Sequence, residues 1–387
     1  MNRPQAPRRV AQIAAAFFGL VVIYGSLYPF QFASGLTPGD ALLVFSDTWR
    51  TPADPYDLVA NALFYIPVGF CLSRALPLPW LLQCTATLFF GAALSFSLEM
   101  AQFYVAGRVP SLWDLAGNSA GTILGTSVGF ALLHGKKWPL VGSLATRPYV
   151  GLLLVSWSAF FLCPSTQGAG ILQSWITPTK LPDGQPAWLA IYAELVTALA
   201  LALLLEEIAG RRWRRMAILY FASAFLLVRL LLSTHSLPSS DMIGAALGVL
   251  LWVTLLWKMS IRASVVAALY LGSVASERLQ PFRFTAPGQT FHWIPLLGLI
   301  TAPPQTAIFF SLHKLFTLGA LLWLLARARL RLETAAWVGC LLLSVLLASE
   351  CFISDKWAEI SDLLLLVGCA LLMKLSGEST LLDRESS

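Results

Sequence analysis

Asp57 and Asn61 stand four residues apart, and Ser95, Glu99 and Gln102 follow at spacings of four and three. After Arg108, the residues Asp114, Asn118, Gly121 and Gly125 keep the same rhythm. Such spacings gather side chains on one face of a helix. Carboxylates, amides, a guanidinium and a helix N-terminus would then meet at one depth. Two chemistries are open to them. Arg108 beside a helix N-terminus suits a phosphate or carboxylate headgroup, with Asp57, Asn61, Glu99, Gln102, Asp114 and Asn118 shaping the pocket. Alternatively, Glu99 and Asp114 form an acid–base pair acting on a headgroup or glycan. Plainer readings stand beside these. Ser111-x-x-Asp114 starts a helix like a capping box, as do Ser240-Asp241 and Ser361-Asp362. Asp54-Pro55-Tyr56-Asp57 reads as a cap, a first-turn proline and a dipole-favoured carboxylate. Glu99 is harder to assign to capping, because a carboxylate in mid-span must pair, protonate or bind something.

The elements that carry these residues are apolar. Charged residues make up only 12% of the chain and hydrophobic ones 57%, with mean hydropathy +0.72, against roughly 25% charged in soluble domains. That composition calls for an all-α, polytopic transmembrane bundle. Apolar stretches near 10–28, 57–76, 80–105, 112–134, 148–163, 186–208, 214–234, 240–259, 261–276, 305–328, 333–353 and 357–375 give about twelve spans. Most Lys and Arg residues fall on one side, including the run Arg211, Arg212, Arg214 and Arg215, so both termini are expected to be cytoplasmic. The first stretch lacks a clear cleavage site and reads as an uncleaved span. Basic residues confined to short loops orient helices and do not track a phosphate backbone, so a nucleic-acid partner is not expected despite the net charge of +6. Six cysteines, without CxxC or a histidine at ligand spacing, read as packing. No metal or cofactor is called for, and there is no HExxH, GxSxG or phosphate-cradling glycine loop.

Self-similarity divides the chain into three parallel four-helix repeats: 1–140, 145–260 and 261–376, followed by a cytoplasmic tail 377–387. Leu27-Tyr28-Pro29-Phe30-Gln31-Phe32 matches Leu279-Gln280-Pro281-Phe282-Arg283-Phe284, and Phe161-Leu162-Cys163-Pro164 matches more weakly. The fourth helices open at Asp114, Asp241 and Asp362, each six residues after Arg108, His235 or Lys356. Helices two and three are expected to be joined by a polar pair in each repeat: Asn61 with Glu99, Glu194 with Arg229, and Lys314 with Glu350.

The first repeat resembles the VanZ-like family of bacterial membrane proteins, named for a protein associated with teicoplanin resistance. The resemblance rests on Tyr24-x-Ser26-Leu27-x-Pro29-Phe30, Asp57-x3-Asn61-x5-Pro67-x-Gly69, Ser95-x3-Glu99-x2-Gln102-x5-Arg108 and Asp114-x3-Asn118-x2-Gly121. It covers roughly residues 20–130. Repeats two and three depart from it: Arg229 lies where Glu99 would be, and Ala245 and Leu366 align with Asn118. The resemblance implies a four-helix integral membrane domain of the cell envelope with a link to glycopeptide susceptibility, and it brings no reaction with it. The leading expectation is a multi-pass inner-membrane protein that binds membrane lipid, an anionic lipid or a lipid-linked cell-wall intermediate, at its outer leaflet. Catalysis by Glu99 and Asp114 is the rival, and a scaffold for other envelope proteins the third reading.

Overall fold

The computed structural model describes residues 5–33, 37–51, 53–76, 78–105, 108–134, 147–162, 188–209, 239–284, 290–353, 356 and 358–378. The expected seventh span (214–234), the basic run at 211–215, Arg229, His235, Cys163, Pro164 and the tail beyond 378 lie outside the described residues. The chain forms two units, one comprising Met1–Thr146 with Ile300–Ile308, the other Arg147–Leu299 with Phe309–Ser387. Each is helical.

The first unit is built from α1 (Gln5–Leu27), α2 (Pro38–Asp47), α3 (Pro55–Ala75), α4 (Trp80–Gln102) and α5 (Leu112–His134). Local chemistry sets the starts. Thr37 and Asp40 form a reciprocal capping box on α2. Asp54 accepts the Tyr56 N–H at 2.9 Å and Pro55 follows at the first turn, so α3 begins as its sequence dictates. α4 is inverted relative to a soluble helix. Its buried stripe holds Gln83, Thr87, Gly91, Ser95, Glu99 and Gln102, while Leu81, Leu82, Phe89 and Phe90 are exposed. Lipid explains that arrangement, because apolar side chains lose nothing by facing hydrocarbon and polar ones must turn inward to find partners. α3 packs chiefly against α5 and α1. The α3–α5 approach is backbone to backbone: a Cβ on Gly121 would collide with the Ala62 carbonyl, and one on Gly125 with the Ile66 carbonyl.

The second unit contains α6 (Pro148–Leu162), α7 (Trp188–Ala209), α8 (Ser239–Thr254), α9 (Arg262–Leu279), α10 (Pro304–Arg327) from Phe309 onward, α11 (Leu332–Glu350) and α12 (Ser361–Leu375). α10 is buried on every side from Ala320 to Ala326, with Trp323 at its centre, as expected for a helix apolar all round. The start of α6 is capped from far away. Glu378 accepts the Tyr149 N–H at 3.0 Å and the Trp323 indole N–H at 3.2 Å.

Six described helices are long and apolar enough to cross a membrane: Arg8–Leu27, Pro55–Ala75, Trp80–Gln102, Trp188–Ala209, Thr306–Arg327 and Leu332–Glu350. Pro148–Phe160 and Met242–Lys258 are shorter apolar helices. Helical architecture and a membrane setting therefore hold. Of the expected helix-two to helix-three pairs, the one of Glu194 with Arg229 reaches outside the described residues, and the other two are not formed. Lys314 pairs with Asp362 on α12 at 2.9 Å, and Glu350 pairs with Arg278 on α9 at 3.1 Å. Asn61 lies beside the Asp114 carboxylate, and Glu99 turns to Ser111. In the first unit Asn61 faces the fourth helix because the glycine stripe brings α3 and α5 closest. Ser361 is also no cap: α12 has Ile360 at its N-cap, and the Ser361 hydroxyl accepts the Leu296 N–H at 2.5 Å.

Candidate functional site

The polar residues read from the sequence gather at one end of the first unit, where α3 begins, α4 ends and α5 begins. Glu99 is 2% exposed, and its Oε2 accepts the Ser111 N–H at 2.7 Å. The carboxylate thus caps α5 from a neighbouring helix. Ser111 Oγ accepts the Asp114 N–H at 3.3 Å, and the Asp114 carboxylate lies beside the Ser111 hydroxyl and Asn61. The Leu112 N–H goes to Thr48 Oγ1 at 3.0 Å, and the Trp113 indole donates to the Thr51 carbonyl at 2.9 Å. Three of the first amides of α5 are therefore already satisfied within the protein. That takes much of the anion-binding capacity expected of a free helix start and leaves Arg108 to supply it.

Arg108 is half-buried on the loop between α4 and α5. Its Nη2 donates to the Gly25 carbonyl at 3.3 Å, and its charge acts on Glu99 and Asp114. Gln102 donates to the Ser26 carbonyl at 3.1 Å, tying α4 to the end of α1. Asp57 is exposed at the mouth of the site and lies within electrostatic range of Asp114. One turn deeper, Asn118 Nδ2 donates to Ser95 Oγ at 2.9 Å.

The structure thus brings together Glu99, Asp114, Asn61 and Arg108, with Asp57 at the rim. Gln102 is turned toward α1 and Asn118 occupies the layer beneath. Four further residues complete the arrangement. Tyr65, 2% exposed, places its ring hydroxyl beside Ser95 and Glu99. It lies one turn beyond Asn61, so continuing the four-residue rhythm of that helix points to it. Thr48 and Thr51 come from the short 3-10 turn after α2, and Ser26 from the end of α1. Nothing in the local sequence ties Thr48 and Thr51 to the site, whereas Ser26 belongs to the Tyr24-x-Ser26-Leu27 motif.

Chemically this is an acid-rich recess. Three carboxylates stand near one guanidinium, inside a bundle whose outer surface is hydrocarbon-compatible. No curated protein and no solved structure matches the chain. A family model does, over the segment that holds every residue of this site. Residues 8–133 match VanZ/LLP1, and that segment of this membrane protein is VanZ-like.

Proposed function

We propose that the VanZ-like unit is a binding module for the polar headgroup of a membrane lipid or lipid-linked cell-wall intermediate, recognised at the outer leaflet of a bacterial inner membrane. The observation that carries this reading is the recess formed by Glu99, Asp114, Asn61 and Arg108 at one end of a bundle with an apolar exterior. Ionisable groups at membrane depth are costly, and a purely structural pair would neutralise itself within the protein. Here Arg108 spends one donor on the Gly25 carbonyl, and its charge reaches Glu99 and Asp114 without pairing either within 4 Å. Arg108 holds the headgroup phosphate in this reading, and Glu99, Asn61, Asp57, Asp114 and Asn118 shape the space around it.

The proposed orientation has both termini cytoplasmic and the recess outward, as the distribution of Lys and Arg favours. Three parallel repeats within about twelve spans remain the proposed architecture, and an effect on teicoplanin susceptibility the proposed phenotype. The test is mass spectrometry of lipids that co-purify with wild type and with an Arg108→Ala variant shown to be folded. A phosphorylated lipid retained by wild type and lost in the variant is expected. Identical profiles would remove the headgroup reading.

A second reading, acid–base catalysis by Glu99 and Asp114, draws on their electrostatic coupling. It requires turnover that Glu99→Gln and Asp114→Asn abolish while ligand retention survives.

A further inference from the structure

The second unit contains a counterpart of this recess. Phe30 and Phe282 both have φ of 60°, and each donates its N–H to a carbonyl three residues back, Leu27 or Leu279, at 2.7 Å. Two residues on, Phe32 forms an antiparallel bridge with Val105, and Phe284 one with Ile353. Val105 closes on the Gln102 carbonyl and Ile353 on the Glu350 carbonyl. This register matches Gly25 with Glu277, Ser26 with Arg278, Gln102 with Glu350, Arg108 with Lys356 and Asp114 with Asp362. One contact confirms it: Arg108 reaches the Gly25 carbonyl at 3.3 Å, and Lys356 reaches the Glu277 carbonyl at 3.1 Å. The alignment of Glu350 with Glu99 is corrected, since Glu350 takes the place of Gln102.

The two recesses differ in charge. In the second unit Arg278 bridges Glu350 and Asp362, and Lys314 adds a second cation to Asp362. In the first, Ser26 stands where Arg278 does, and Asn61 meets Asp114 where Lys314 meets Asp362. Two cations have gone, and Gln102 stands where Glu350 does, but Asp114 remains and Glu99 takes the place of Leu347. Among the described residues Asp57, Glu99 and Asp114 form no ion pair within 4 Å, and Arg108 acts on Glu99 and Asp114 only at longer range. One turn below them, Asn118 Oδ1 is a buried acceptor with no donor. The region is short of positive charge and of N–H donors. The carboxylates are not arranged as a metal site, for no three His, Cys, Asp or Glu side chains among the described residues converge that way.

From this we infer that the first unit binds the protonated primary amine of an aminoalkyl phosphate headgroup, seated against Asp114 and Glu99 in the place that the Arg278 guanidinium takes in the second unit, with the phosphate on Arg108. With serine in place of arginine, Asp114 lacks the cation that Asp362 has, and Glu99 adds a second carboxylate beside it, so a cation brought by the ligand would supply the missing partner. The inference rests on the headgroup reading above and narrows it from an anionic to a zwitterionic ligand.

The experiment reconstitutes the full chain in nanodiscs containing phosphatidylethanolamine and phosphatidylglycerol with identical acyl chains, and measures retained lipid by native mass spectrometry. The expected result is at least about tenfold preference for phosphatidylethanolamine, abolished in Asp114→Asn and reduced by soluble phosphoethanolamine only at large excess. Equal retention of the two lipids would overturn the amine inference and leave the headgroup reading standing; retention of neither would overturn both. Displacement by phosphoethanolamine at matched concentration would overturn the lipid as source and assign the free aminoalkyl phosphate. Should Asp114→Asn not fold, Ser26→Arg decides instead. It installs the second unit's cation without touching the carboxylates, and it should abolish the phosphatidylethanolamine preference; unchanged preference would overturn the inference.

Discussion

The Glu99 carboxylate lies 2.7 Å from the backbone nitrogen of Ser111 and accepts its N–H. A charge in the last turn of one helix thereby secures the start of another, so the recess and the helix that forms its wall are built by the same bond.

Replacing Glu99 separates these roles. Glu99→Gln keeps an acceptor for Ser111 and should leave thermal stability in detergent nearly unchanged. Glu99→Ala strands the amide and should cost about 1–3 kcal/mol. Equal melting temperatures for the two variants would show that the bond does not hold α5.

The close approach of α3 and α5 allows no side chain at Gly121 or Gly125. Gly121→Leu should push the helices apart and sharply reduce monodisperse protein on size exclusion, whereas a leucine at Gly19, where nothing lies nearby, should be tolerated. Normal behaviour of Gly121→Leu would contradict the packing described.

Arg278 compensates Glu350 and Asp362 in the second unit. Arg278→Ser alone should destabilise by about 3–5 kcal/mol, the usual cost of leaving a buried charge unpaired. Adding Glu350→Gln reproduces the Ser26–Gln102 pair of the first unit and should recover part of that loss. Thermal melts of the single and double variants measure the coupling, and strict additivity would refute it.

Glu378 gives a pH signature. Burial pushes its carboxyl up to about 7, opposed by Arg147 and by hydrogen bonds from Trp323, Val150 and Tyr149. The folded protein holds this proton more tightly than the unfolded chain, whose glutamate titrates near 4.5. The group's contribution is therefore full below pH 4.5 and is lost as pH rises to 7. Melting temperature should fall across that window in wild type and fall less in Glu378→Gln; identical slopes would exclude Glu378 as the source.

Sequence by itself determined the class of this protein and the raw materials of its recess. An apolar composition with few charges forces helices whose polar residues face inward, and four-residue spacing alone put Asn61, Glu99 and Asp114 on facing stripes. Asp54 and Ser111 were legible as caps because capping is local. The partners were not legible, because they depend on which backbones come nearest. The glycine stripe set α5 against α3, so Asn61 reached Asp114, and Glu99, left over, turned to the Ser111 amide. Thr48 and Thr51 reached the start of α5 from a segment whose own sequence carries no sign of it. The match of Leu27–Phe32 with Leu279–Phe284 already set Ser26 opposite Arg278. Only the tertiary structure decided that Arg278 joins Glu350 to Asp362 and that Glu350 stands opposite Gln102, because side-chain partners depend on which helices come together, and it is this pairing that shows where a cation is missing.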